Sequence, residues 1–243
     1  MASRSSVLTY HSIDDSGSVI STPPSTFRRQ MEYLAFSGVP VVPLDRAVRE
    51  PGCVAISFDD GFGNIADHAL PILEKFRLPA TVFVVSDFCG GRNDWPSQPA
   101  GMVPVLPLLG WDDLRALPKD VTIGAHTVTH PELNRLPDDE CEREMTESRT
   151  EIEQRLARPV RWLAYPYGAS SPRVRSLAGR HFDFAFGTSL RFLPPMPDRA
   201  NLPRIDTYYL RGAFSIERLF TLPGRAYIGM RHLFREARRA VSD

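Results

Sequence analysis

Cysteine is scarce in this chain of 243 residues: Cys53, Cys89 and Cys141 are odd in number, far apart and form no Cys-x-x-Cys pair. That pattern points to neither a disulfide framework nor a thiolate zinc site. Cys53 opens an apolar run and reads as a small buried hydrophobe. An excess of one charge is missing too, with 29 Lys and Arg against 29 Asp and Glu. No global field therefore recommends nucleic acid or an acidic polymer as a partner, whereas a neutral glycan is compatible. No apolar run reaches membrane-spanning length, and Met1 to Ser6 lacks the apolar stretch of a signal peptide. The expectation is a soluble, cytoplasmic protein. There is no internal repeat and no low-complexity linker. The length suits one α/β domain over residues 1–243, with residues 212–243 as a C-terminal helical tail.

What is present is alternation. Strands are expected at Val7–Ile13, Val39–Leu44, Cys53–Phe58, Ala80–Val85, Val121–Ala125, Trp162–Ala164, Phe184–Gly187 and Leu202–Ile205. Between them, helical spacing recurs around Phe27–Leu34, Ile65–Phe76, Trp111–Leu117, Asp138–Leu156 and Arg173–Arg180. Gly90 to Gly110, with four prolines and four glycines, reads as an insertion loop at a site rim. Strand–helix alternation along the whole chain argues for a parallel sheet, most simply a barrel.

The chemistry-bearing residues follow the strands. Ser57-Phe58-Asp59-Asp60-Gly61 places two adjacent carboxylates where an apolar strand runs out into a glycine turn. Two acids there need a positive partner. His126-Thr127-Val128-Thr129-His130 offers two imidazoles four residues apart, which face one point if the chain turns helical after Ala125. One carboxylate and two imidazoles form the ligand set of a catalytic zinc, and the spare carboxylate would be a base beside it. Pro131 is expected to hold His130 in extended geometry. Thr127 either holds a neighbouring group or caps the turn. Tyr165-Pro166-Tyr167-Gly168 ends another strand, either as a structural turn or as a substrate wall whose N–H meets developing negative charge.

Ser-Phe-Asp-Asp-Gly, His-Thr-x-x-His and Ala-Tyr-Pro-Tyr-Gly, in this order, resemble the NodB-type polysaccharide deacetylases of carbohydrate esterase family four. The similarity spans roughly Val7 to Ile205 by the order of strands. It implies a distorted (β/α) barrel with a divalent metal, usually zinc, held by Asp60, His126 and His130. It implies Asp59 as general base and the Tyr167 backbone N–H as oxyanion donor. The implied reaction is hydrolysis of the N-acetyl amide of an amino sugar in a glycan or glycoconjugate. The opening Leu8-Thr9-Tyr10-His11-Ser12-Ile13 is similar to the branch that includes poly-N-acetylglucosamine deacetylases.

The chain departs from the family pattern twice. The leucine–x–histidine of many relatives is missing near the C-terminus, and His181 and His232 are poorly placed to substitute. The arginine that many relatives carry directly before Pro-Pro-Tyr-Gly, where it braces the base, is missing, with Ala164 at that position. His11 is the candidate acid or substrate contact, against a reading as a hydrogen-bonded core histidine. Arg204, in Leu202-Pro203-Arg204-Ile205-Asp206, is the candidate partner that braces Asp59. Trp95, Trp111 and the loop could line a sugar groove, although Trp111 suits packing of its own helix. Gly224 to Val241 forms a basic amphipathic pattern with Arg225, Arg231, Arg235, Arg238 and Arg239. It either packs on the domain, the favoured reading, or contacts an anionic membrane. Two alternatives to the deacetylase stand: a catalytically silent carbohydrate-binding barrel, and an amidohydrolase acting on a small non-sugar amide.

Overall fold

The computed structural model describes residues 4–98, 101, 103–212 and 214–242, with side chains in the final helix described through residue 238. The elements run β1 (Ser6–Tyr10), α1 (Pro24–Phe36), α2 (Leu44–Arg49), β2 (Val54–Phe58), α3 (Asn64–His68), α4 (Leu70–Phe76) and β3 (Ala80–Val84). They continue with α5 (Trp111–Ala116), β4 (Val121–Ala125), α6 (Asp138–Leu156), β5 (Trp162–Ala164), α7 (Pro172–His181), β6 (Phe184–Leu190), β7 (Leu202–Asp206), α8 (Ile216–Leu219) and α9 (Leu222–Ser242). The strands β1 to β7 pair in sequence order, every pair parallel, and β7 closes on β1 to complete a barrel.

Closure explains why the strands read as continuous apolar runs. Every residue of β1, β2 and β3 is buried, since both faces of each strand are covered. Tyr10, Phe27 and Phe58 interlock at ring-centroid separations of 5.1 to 5.8 Å and fix α1 against β1 and β2. Gly124 in β4 leaves room for the Phe83 ring, which would stand 2.4 Å from a Cβ placed there. Helix α6 opens with Asp138, Asp139 and Glu140, where acids favour the helix dipole, and ends at Ala157 with φ 52°.

Two expectations about elements are corrected. Val39–Leu44 is not a strand: Val41 makes one isolated parallel bridge to Val54, and Leu44 already begins α2. Pro40 and Pro43 lack the N–H groups a ladder needs, and Pro43 sits at the start of the helix instead. The Ile65–Phe76 helix is two, broken at Ala69 before Pro71. Residues 99, 100 and 102 of the expected insertion loop lie outside the described residues. The flanking parts bridge as Phe62 to Leu108 and Arg92 to Pro107.

Helix α9 is 21 residues long and crosses close to β6. Tyr227 stacks on Phe214 at 4.0 Å and Ile228 is buried. Leu222, Met230, Leu233 and Phe234 are exposed, so only part of its apolar face is covered. The side chains of Arg239 and Val241 lie outside the described residues. Among the described residues, no helix is long and apolar enough to cross a membrane.

Candidate active site

The site residues gather at the C-terminal ends of the strands, the end where such barrels leave side chains free of the packed interior. His11 follows β1, Asp59 and Asp60 follow β2, His126 follows β4, Tyr167 follows β5, and Arg204 lies within β7. Asp60 and Gly61 both adopt positive φ, 68° and 73°, which bends the chain sharply after the strand. The two neighbouring carboxylates consequently face different partners.

Asp59 is buried and gripped by Arg204, whose Nη1 donates to Oδ1 at 2.6 Å and Nη2 to Oδ2 at 2.7 Å. Arg204 Nε donates to the Gly187 carbonyl at 3.1 Å, and its guanidinium lies over the Phe83 and Phe186 rings. Burial pushes the Asp59 carboxyl up. The Arg204 charge and hydrogen bonds, with His126 and His11, outweigh it and hold the group below the usual carboxylate range. His11 Nε2 stands 4.0 Å from Asp59 Oδ2 and is about a quarter exposed. They share a cavity of about 350 Å³.

Asp60 faces the two imidazoles. Its Oδ1 is 3.3 Å from His126 Nε2 and 3.4 Å from His130 Nε2. One ligand atom from each residue falls within 4.8 Å of the others, and all three residues are buried. Tetrahedral bonds of about 2.0–2.1 Å put neighbouring donors roughly 3.3 Å apart, which is the spacing of Asp60 Oδ1 from each imidazole. The outer contacts fit as well. His126 Nδ1 donates to the Ala164 carbonyl at 2.7 Å, which leaves Nε2 as the nitrogen that faces Asp60 and would ligate an ion. Burial pushes the Asp60 carboxyl up, but hydrogen bonds from both histidines hold it far below the carboxylate range. In the chain alone, burial lowers both imidazoles. Asp60 and Asp59 outweigh this at His126, which is raised, whereas His130 stays lowered.

The histidine loop differs from the expected helical turn. Thr127 and His130 both take positive φ, 68° and 60°, so the imidazoles converge through a left-handed loop, and His130 is not extended before Pro131. Thr127 Oγ1 accepts from the His130 N–H at 3.1 Å. Glu144, on α6, accepts from the Val128 and Thr129 N–H groups, each at 2.9 Å, and from the Thr129 hydroxyl at 2.7 Å. Sequence reading did not single out Glu144; its only signal is being one acid among many on an acidic helix. Trp95 is buried with its ring 4.2 Å from the His130 ring, so it supports a histidine and does not line an open groove. Trp111 is half-buried under Arg155 on α6.

Of the three residues expected around the oxyanion, the structure brings one to the surface. Tyr165 and Pro166 are buried, and the Tyr165 hydroxyl donates to the Ala200 carbonyl at 2.7 Å, so neither forms a substrate wall. Tyr167 is 39% exposed, with φ 57°, and its ring stands 4.7 Å from that of His130. Its hydroxyl donates to the Ser97 carbonyl at 3.0 Å and accepts from Trp95 Nε1 at 3.3 Å. Among the described residues the Tyr167 N–H has no hydrogen-bond partner. His181 is remote from this cluster in its contacts, bonding Glu142 on α6 at 2.5 Å.

The polysaccharide deacetylase family model matches residues 46–181, more than half of the chain. YxkH of Bacillus subtilis (strain 168), provisionally a polysaccharide deacetylase, is 26% identical over 171 residues, covering 67% of this chain and 56% of that protein. The poly-β-1,6-N-acetyl-D-glucosamine N-deacetylase of Staphylococcus epidermidis is 23% identical over 158 residues, covering 63% of this chain and 53% of that one. The chain thus spans about half the length of the curated relatives it matches. Among solved structures, the Streptococcus pyogenes deacetylase PplD in complex with acetate superposes with a TM-score of 0.72 at 19% identity, covering 85% of this chain and 93% of that one. The shared fold is the deacetylase barrel of seven parallel strands.

Proposed function

The chain belongs to the polysaccharide deacetylase family, and from that premise we propose that it hydrolyses the N-acetyl amide of an amino sugar in a glycan or glycoconjugate, releasing acetate. The observation that carries this reading is the division of labour between Asp59 and Asp60. One is fixed by a buried guanidinium, the other by two imidazoles at donor spacing. In this reading Asp60, His126 and His130 hold a divalent ion, zinc by their donor set, which when bound supplies Lewis acidity to the amide carbonyl and acidifies water. Asp59, kept ionised by Arg204, takes the proton of the attacking water. The unpartnered Tyr167 N–H donates to the carbonyl oxygen as it gains negative charge. The departing amine needs a proton, and His11 is the candidate donor because it stands beside Asp59 at the cavity wall.

The test is acetate release from N-acetylglucosamine oligomers by zinc-loaded protein. Turnover that disappears in Asp59→Asn supports the reading. Sugar binding without acetate release in the wild-type protein would make the chain a silent carbohydrate-binding barrel, and turnover confined to small amides would change its substrate class.

A further inference from the structure

The cavity beside Asp59 is not walled by the barrel alone. Arg235, from α9, lines it together with His11, Arg204 and Tyr209. A second cavity of about 250 Å³ shares Tyr209 and Arg235 and adds Arg231 from the same helix. The two spaces meet at these shared residues, so a ligand seated over Asp59 can extend toward α9.

Among the described residues, arginines outnumber carboxylates in the linings of these two cavities. The positive charge of Arg204 is matched by Asp59. Among the described residues, neither Arg231 nor Arg235 has a carboxylate within 4.0 Å. Asp206 also lines the first cavity, where its Oδ1 accepts from the Tyr208 N–H at 2.9 Å. Glu236 neighbours Arg235 on α9 but lines neither cavity. The Arg231 guanidinium lies 5.6 Å from the Tyr209 ring and 5.4 Å from that of Tyr227, and its Nε donates to the Tyr227 hydroxyl at 3.3 Å. The Arg235 guanidinium lies 5.8 Å from the Tyr209 ring. Ring contacts orient both cations and leave most of their N–H donors for a ligand. Residues four apart on a helix are neighbours, so the pair is a repulsive arrangement that a dianion would relieve. Planar guanidiniums suit phosphate oxygens in pairs.

We propose that Tyr209, Arg231 and Arg235 form a subsite for a phosphate group carried by the amino-sugar substrate, on the sugar whose amide lies over Asp59. The substrate class is then a phosphorylated or phosphate-linked N-acetylated sugar and not a neutral oligomer. This rests on the deacetylase reading of the Asp59 cavity.

Calorimetry on the full zinc-loaded chain compares glucosamine 1-phosphate with glucosamine, ligands that cannot be turned over, and with inorganic phosphate. Glucosamine 1-phosphate is expected to bind roughly tenfold or more tightly than glucosamine. Arg231→Gln with Arg235→Gln should erase that ratio, and Arg143→Gln, a surface change on α6, should keep it. Inorganic phosphate should compete with the sugar phosphate. Equal binding of the two sugars, or a preference that survives the double variant, overturns the subsite. So does a double variant that keeps the preference but no longer sediments with phosphatidylglycerol vesicles, because the arginines would then serve a membrane surface. Acetate assays separate this from the underlying reading. Release from neutral oligomers with no arginine-dependent preference rejects the subsite alone. Arginine-dependent binding with no acetate from any substrate rejects the deacetylase alone.

Discussion

Arg204 closes on Asp59 with both arms of its guanidinium, at 2.6 and 2.7 Å, from a strand on the other side of the barrel seam. The pair joins residues 145 positions apart and buries both charges. Removing one partner leaves an uncompensated charge, so Arg204→Ala should lose about 3–5 kcal/mol of stability in urea titrations. Turnover should fall roughly 10²-fold or more if Asp59 is the base. Without the guanidinium the Asp59 pKa rises, so the acid limb of the pH–rate profile should move to higher pH. Arg204→Lys keeps a charge but not the two-armed geometry, and should recover only part of either loss. Unchanged turnover in Arg204→Ala would remove the bracing role.

The same pair sets an acid dependence of folding. The Asp59 carboxyl is held below its ordinary value in the folded chain. Its contribution is therefore complete above the unfolded pKa of about 3.9 and disappears as pH falls through the lower folded value. The urea midpoint should drop across that window. In the double variant Asp59→Asn with Arg204→Met, which removes both charges, the drop should be shallower.

Zinc should raise the thermal midpoint of the wild-type chain, because an ion that binds only the folded state stabilises it by about 2.7 kcal/mol at a concentration 100 times its Kd. His126→Ala, His130→Ala and Asp60→Ala should each abolish the shift. The shift should shrink as pH falls below neutrality, since the imidazoles must give up protons to bind. Calorimetric titration with zinc at two pH values measures both effects.

The legible parts of this fold are those where local pattern and tertiary environment agree. The bounds of Val121–Ala125, Asp138–Leu156 and Trp162–Ala164 can be read directly, because an apolar run between turns and a helix with an acidic first turn have few alternatives. Arg204 is visible as an arginine within the expected Leu202–Ile205 strand, although the direction of its side chain is set by closure of β7 on β1. Other features are tertiary. Thr127 and His130 carry no glycine signature for left-handed backbone, so their loop cannot be inferred from residue type. Trp95 meets His130 only through the tertiary fold, and Tyr165 is buried although Tyr167, two residues on, is exposed.

Glu144 is the residue whose effect should separate loop geometry from chemistry. It accepts three hydrogen bonds from the Val128–Thr129 turn and touches no ligand donor atom. Glu144→Ala should therefore weaken zinc binding about 10–100-fold by freeing the loop that aims His130. The position of the acid limb set by Asp59 should not move. A variant with wild-type zinc affinity would assign the loop's rigidity to Thr127 and Trp95 instead.

The three thiols should be silent in the native protein. Burial pushes the Cys89 thiol up to about 12, and it also raises Cys53 and Cys141. The attacking species is the thiolate, which at pH 8 is a negligible fraction of a group titrating so high. Cys53 and Cys141 are in addition buried among core side chains. Ellman's reagent at pH 8 should thus react slowly with the folded chain and rapidly with three thiols in guanidinium chloride. The native rate should follow local opening of the fold and so rise with sub-denaturing urea. A fast thiol in the native chain would show that one of these cysteines lies in a more open and more electropositive environment than the packing around it provides.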